Sequence, residues 1–331
     1  MEDYGVRELK EAILVAIRAA LKITNTSVTL VMHAARKTNQ NKADAICLKS
    51  KKDNELSPVL YMDDLIAEYQ SGNLSIDDFG KEIAQRLLTL NQEKESLNIQ
   101  ITPDAATEHL YLQVINKKLN PDIAESCAHT ELPGGLIAVP RWRIDETKSV
   151  LVDKNIQGHL LEMTDSELLN VAKANTLKQE YTVKSMRDTL AEIMEQDMPK
   201  EIVAEMLPEA PEPIYVISNS EKLFGASALL SPDVLEKAHE TLGEDYFVIL
   251  SSLHEVLAVP ASLADPADLR HICREVNATQ LQEKDLLGDS ILFYNSATRS
   301  LHECNSIEEL RKIQETIPVT QKRIEHPHIK R

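Results

Sequence analysis

Val6, Leu9, Ile13, Ile17 and Leu21 recur at helical spacing among Arg7, Glu8, Lys10, Glu11 and Arg18, which predicts an amphipathic opening helix. Two strand-like runs follow, residues 27–34 and 43–49, joined by the polar stretch TNQNK. A third short strand, 58–61, leads into the helix MDDLIAEYQSG, which Gly72 stops. Ser75, with Asp78 three residues on, caps another helix whose inward stripe is Ile76, Phe79, Ile83, Leu87 and Leu90. Residues 1–100 therefore read as an N-terminal α+β domain, a small sheet with helices on one side.

A middle α+β region covers 101–207. HLYLQVINKKLN fits strand or helix, while LIAVPRWRI and KSVLVDKN predict a strand pair behind the turn Pro133-Gly134-Gly135. Thr164 and Glu167 form a capping box opening the helix TDSELLNVAKANT. A helix over 183–194 is expected to turn Met186, Leu190 and Ile193 inward. Pro208, Pro211 and Pro213 then make 208–213 a stiff linker.

The C-terminal domain, 214–331, opens with a strand at 214–218 and a helix starting at Ser231-Pro232, proline being favoured in a first turn. Strands at 246–250 and 256–259 are separated by SSLHE. Asp265-Pro266 caps a helix expected to point Leu269, Ile272 and Val276 inward. A hairpin, 291–294 with 299–302, precedes a last helix capped by Ser306 and Glu309. The order β-α-β-β-α-β is that of a ferredoxin-like split βαβ sandwich. The class is α+β, with small mixed or antiparallel sheets and helices packed on one face.

Charge narrows the partners. The chain has 36 basic and 53 acidic residues among 331, a formal charge of −17. Such a surface repels phosphate backbones and anionic lipid, so neither nucleic acid nor membrane is an expected partner. A basic protein partner suits it better. The opening helix begins Glu2-Asp3 and is interrupted by charges, unlike a secretory signal. Cys47, Cys127, Cys273 and Cys304 stand singly, without metal-ligand spacing, and read as free thiols of a cytoplasmic protein.

One segment gathers polar chemistry. Ser251, Ser252, His254 and Glu255 place hydroxyl, imidazole and carboxylate within five residues. In a strand, Ser252 and His254 share a face; in a helical turn, Ser251 and His254 are neighbours. Either allows an imidazole to accept a serine proton. The competing reading is structural: Ser252-x-x-Glu255 is a capping-box pattern, and His254 is then a hydrogen-bonded turn residue. Asn219 and Gly225 follow a strand, where ligands meet helix starts, although turn and packing duties explain them as well. No GxGxxG, P-loop or GxSxG pattern occurs. His326 and His328 lie two apart in the basic tail, and Asp63-Asp64 and Asp77-Asp78 mark helix starts. No cofactor or metal is expected.

Several segments together carry a family likeness: PVLYMDDLIAEYQSGNLSIDDFGKEIAQ, NVAKANT, PIYVISNSEKLFGASALL running to ILSSLHEVLAVP, and REVNATQ. In this order they resemble a bacterial family, domain of unknown function 5688, over most of the chain. A looser likeness in strand–helix order extends to the YtpQ-like proteins. The resemblance implies a recurring fold and brings no reaction, cofactor or site residue. The function expected from the residues is a non-enzymatic protein-binding or regulatory module acting on another cytoplasmic protein. Two alternatives stand beside it: a hydrolase or transferase using Ser251 or Ser252 with His254 and Glu255, and a small-ligand sensor hinged at 208–213.

Overall fold

The apolar stripe of the first segment forms a helix, α1 (Val6–Ile23), with Leu9, Ile13, Ile17 and Leu21 buried and Val6 exposed. In the computed structural model, which describes residues 5–23, 28–49, 58–97, 107–144, 149–207 and 214–315, two compact units are present, Met1–Ile101 and Thr102–Arg331. The expected linker at 208–213 and the basic tail with His326 and His328 lie outside the described residues.

In the first unit, β1 (Thr29–Lys37) and β2 (Gln40–Lys49) form a hairpin, and β3 (Leu60–Tyr61) adds to β2, all antiparallel. Asn39 turns the hairpin in the left-handed region, which asparagine tolerates. Helices α2 (Met62–Ser71) and α3 (Ile76–Leu97) complete the unit. The Asp78 amide donates to Ser75 Oγ at 3.2 Å, as its cap pattern predicts. Ile46, Leu48, Leu60, Leu65, Phe79, Ile83 and Leu87 close one core with α1. At Gly80 the two long helices touch: a Cβ there would lie 2.4 Å from Ala16 Cβ and 2.7 Å from Ala16 C.

The second unit begins with β4 (Leu110–Asn116), α4 (Pro121–Ser126), β5 (Thr130–Leu132), β6 (Leu136–Arg143) and β7 (Ser149–Leu151). HLYLQVIN is thus a strand. β6 pairs with β4 on one side and with β5 and β7 on the other. Helix α5 (Asp165–Thr176) starts at the predicted capping box, with both reciprocal bonds between Thr164 and Glu167 present. Its Thr176 Oγ1 accepts the Leu112 amide at 2.8 Å, tying the helix to β4.

The remaining elements are β8 (Tyr181–Ser185), α6 (Met186–Met194), α7 (Lys200–Met206), β9 (Tyr215–Asn219), α8 (Pro232–Leu242), β10 (Tyr246–Ile249), β11 (Val256–Pro260), α9 (Pro266–Thr279), β12 (Ile291–Asn295), β13 (Ser300–Glu303) and α10 (Ile307–Glu315). Their strands make one six-stranded antiparallel sheet in the order β13-β12-β10-β11-β9-β8. Phe247, Ile249, Ile291 and Phe293 pack on one face with Leu269 and Cys273 of α9.

Three expectations change here. Strands β9 to β12 do form split units, β11 lying between the parallel strands β9 and β10 and β10 between β11 and β12. The second and third strands are central, however, where a ferredoxin-like sandwich has the first and third, so the ferredoxin-like order is not what forms. Strand β8 precedes 208–213 and pairs with β9 beyond it, so that segment does not separate two sheets. The helix expected from 183 starts at Met186, because residues 181–185 join the sheet and Ser185 Oγ caps the Asp188 amide at 3.0 Å.

Gly80→Ala adds helix propensity worth about 1 kcal/mol but forces α1 and α3 apart at backbone atoms. We expect a net loss of about 2 kcal/mol in urea unfolding. Adding Ala16→Gly should recover only part of it, since the Ala16 backbone remains.

Candidate functional site

The turn between β10 and β11 holds the sequence candidates. It is neither a continuing strand nor a helical turn. The Ser252 amide donates to the Glu255 carbonyl at 3.1 Å, and Ser252 Oγ accepts the His254 amide at 3.1 Å. On one side, the Leu253 amide donates to the Asp285 carbonyl at 2.9 Å, and Ser252 bridges Leu286. On the other side sits the loop after β9. Ser218 Oγ donates to the His254 carbonyl at 2.7 Å. Asn219 closes that loop by accepting the Leu223 amide at 3.1 Å and donating to the Leu223 carbonyl at 2.8 Å.

Gly225 is the point of closest approach. A Cβ at this position would lie 2.2 Å from Ser218 Oγ, 2.3 Å from the His254 carbonyl and 2.8 Å from the Asn219 amide. Two sequence candidates that looked separate, the Asn219/Gly225 loop and the His254 turn, therefore form one seam. The preceding residues are strained, Lys222 at φ 52° and Phe224 at φ 55°, a region costly for side chains other than glycine.

His254 holds Phe224 in place. The Phe224 amide donates to His254 Nδ1 at 3.3 Å, and the rings stack at 5.6 Å and 16°. An Nδ1 that accepts leaves the ring proton on Nε2, which faces Asp285 Oδ1 at 3.4 Å. With both ring nitrogens engaged, the imidazole has no lone pair turned to a serine hydroxyl. Ser251 is half-buried and Ser252 buried, and Glu255 contributes its carbonyl to the turn.

The stack continues onto the smaller sheet. Tyr111 of β4 lies 6.5 Å from the Phe224 ring. Arg141 sits 5.4 Å over Phe224 and Arg143 5.2 Å over Tyr111, in cation–π positions. Arg141 also donates to Gln113 Oε1 and Ser149 Oγ, each at 3.0 Å, and Arg143 pairs with Glu221 at 2.7 Å. That hydrogen bond to Glu221 raises the proton affinity of Arg143 against the opposing effect of burial. The seam thus locks the six-stranded sheet to the four-stranded one.

A different surface stands uncovered. Helix α6 has no buried residue. Leu190 and Ile193, expected to point inward, are 40% and 49% exposed. On α7, which packs beside α6, Val203 is buried while Ile202 and Met206 are 48% and 60% exposed. Four exposed large apolar residues on two helices in contact are more than the singly scattered apolar residues ordinary on a surface. Helix α9 departs similarly: it buries Leu269 and Cys273 and leaves Ile272 and Val276 outward.

A family model described as a family of unknown function (DUF5688) matches residues 6–296. The chain belongs to this family. No curated protein and no solved structure matches it. The DUF5688 match spans both units and includes the seam and the α6–α7 face, while β13 and α10 follow it.

Other polar groups of this DUF5688 chain settle into ordinary roles. Asp63-Asp64 and Asp77-Asp78 occupy helix first turns. His129, His239 and His271 each lie beside a carboxylate, and His302 bonds Ser300. Among the described residues no group of three or more His, Cys, Asp or Glu side chains could hold a metal ion, and no helix is long and apolar enough to cross a membrane. All four cysteines are buried and none is in a disulfide. Burial pushes the thiols of Cys273 and Cys304 up to about 11.

Sequence reasoning missed Phe224, Tyr111, Arg141, Arg143 and Asp285. The alternation Arg141-Trp142-Arg143 in a strand already places both arginines on one face. Nothing in local spacing ties Asp285 to His254.

Gly225→Ala should cost about 3 kcal/mol, through overpacking against backbone that cannot move aside. Adding Ser218→Ala should not restore stability, since the His254 carbonyl remains; paired urea melts check both. High pH gives a second test. Burial first, and then Glu236, push Tyr294 up to about 12, and burial pushes Tyr246 upward as well. The unfolded chain therefore loses these tyrosine and thiol protons first, and binds fewer protons than the folded chain. Stability should hold through neutral pH and fall progressively above about pH 9, where free thiols begin to ionise. Alkaline denaturation followed by circular dichroism reads this directly.

Proposed function

We propose that this chain is a cytoplasmic, non-enzymatic protein-binding or regulatory module that docks another protein on the α6–α7 face. The observation that carries the reading is the exposure of Leu190, Ile193, Ile202 and Met206 on two neighbouring helices. Each such side chain contributes about 1.5–3 kcal/mol when fully covered, while association itself costs about 4 kcal/mol or more. Four anchors thus suit a reversible complex, as regulation requires. The seam supports the reading differently: it spends its polar groups on joining two sheets and leaves the imidazole engaged at both nitrogens.

A photo-crosslinking residue at Ile193 or Ile202, in cells of the source organism, should capture the same discrete protein from both positions. The same residue at exposed Glu240 should not, and Leu190→Ser with Met206→Ser should abolish capture without changing the melting temperature. Capture of only a second copy of the chain, or equal capture from Glu240, would refute the proposal.

A further inference from the structure

We infer that the occupant of the α6–α7 face is a basic amphipathic helix of a partner protein, an inference that rests on the protein-binding reading above. Three observations converge. First, the face has helical geometry. Met186, Leu190, Ile193 and Met194 follow the spacing of one helix face, and Ile202 and Met206 stand one turn apart on α7. Two short neighbouring helices with exposed apolar side chains can receive a third, recognised through anchors at the same spacings.

Second, the segment that carries this face is methionine-rich, with Met206 exposed and Met186, Met194 and Met198 half-buried. Met186, Met194, Met198 and Met206 are half of the chain's 8 methionines, gathered in one stretch. Unbranched, polarisable methionines adapt to varied apolar side chains and are over-used on surfaces that receive amphipathic helices. A permanent core interface has no need of that adaptability.

Third, the surroundings are acidic. Residues 186–207 bring Asp188, Glu192, Glu195, Asp197, Glu201 and Glu205 against Arg187 and Lys200. Lys184 neutralises Glu192, and Lys200 pairs with Glu195 at 3.3 Å. Asp197, Glu201 and Glu205 make no ion pair among the described residues, and all three are exposed. A helix with lysine or arginine flanking its apolar stripe matches both features, whereas an acidic helix, a nucleic acid or an anionic lipid surface meets repulsion.

The test uses the full chain and two designed helical peptides of about 18 residues, with one leucine pattern, flanked by lysine in one and glutamate in the other. Fluorescence anisotropy should show the lysine peptide binding and the glutamate peptide at least tenfold weaker, with affinity falling as salt rises. Glu201→Lys with Glu205→Lys should weaken the lysine peptide about tenfold. Leu190→Ser with Ile193→Ser should do the same while circular dichroism is unchanged. The inference is overturned if the glutamate peptide binds equally, or if the serine variant binds the lysine peptide like the wild type, which would indicate undirected charge attraction. It is also overturned if neither peptide binds, or if Leu190→Ser with Ile193→Ser instead dissolves a self-association seen by sedimentation. When neither peptide binds but crosslinks from Ile193 still reach a discrete protein, the partner class fails and the protein-binding reading survives.

Discussion

Strand β10 is four apolar residues long, covered on both faces and paired on both edges. Its buried amides and carbonyls have no water to turn to, so they bind β11 and β12, and an unpaired group there would cost about 1–3 kcal/mol. Everything else in the second unit is placed relative to that requirement. β11 holds β9, β9 holds β8, and the tight turn from β10 to β11 carries His254 to the loop that leaves β9.

The seam at Gly225 is a consequence of this geometry. Once two chain reversals are forced to the same end of the sheet, their backbones meet at distances that exclude a Cβ. The left-handed Phe224 is stabilised there by a stack that starts at His254 and passes through Tyr111 to the four-stranded sheet. A chain with only 4 phenylalanines places one of them at this junction, where a rigid ring and two arginines do the work that a larger apolar core does elsewhere.

Much of the fold was legible from local pattern. The capping box at Thr164, the proline-led helices at Pro232 and Pro266, and the closing hairpin all form where the spacing puts them, because caps and turns are decided within a few residues. Strand order was not legible. The same element order admits several sheets, and the choice among them depends on pairings between residues far apart in sequence, such as Val256 with Ile217. Helix α6 shows another limit. Its spacing identifies an apolar face at Leu190 and Ile193 but cannot say whether anything covers it. The site was half legible: His254, Asn219 and Gly225 are conspicuous residue types, while their convergence, and the arrival of Asp285, are products of the tertiary structure.

Helices α6 and α7 occupy an excursion between two strands, β8 and β9, that are already hydrogen-bonded neighbours. The ladder beneath makes few demands on what the excursion contains. A change in the length, charge or anchor residues of this excursion would leave the β8–β9 pairings in place. The sheet would then act as a fixed base on which the helical insert is altered separately.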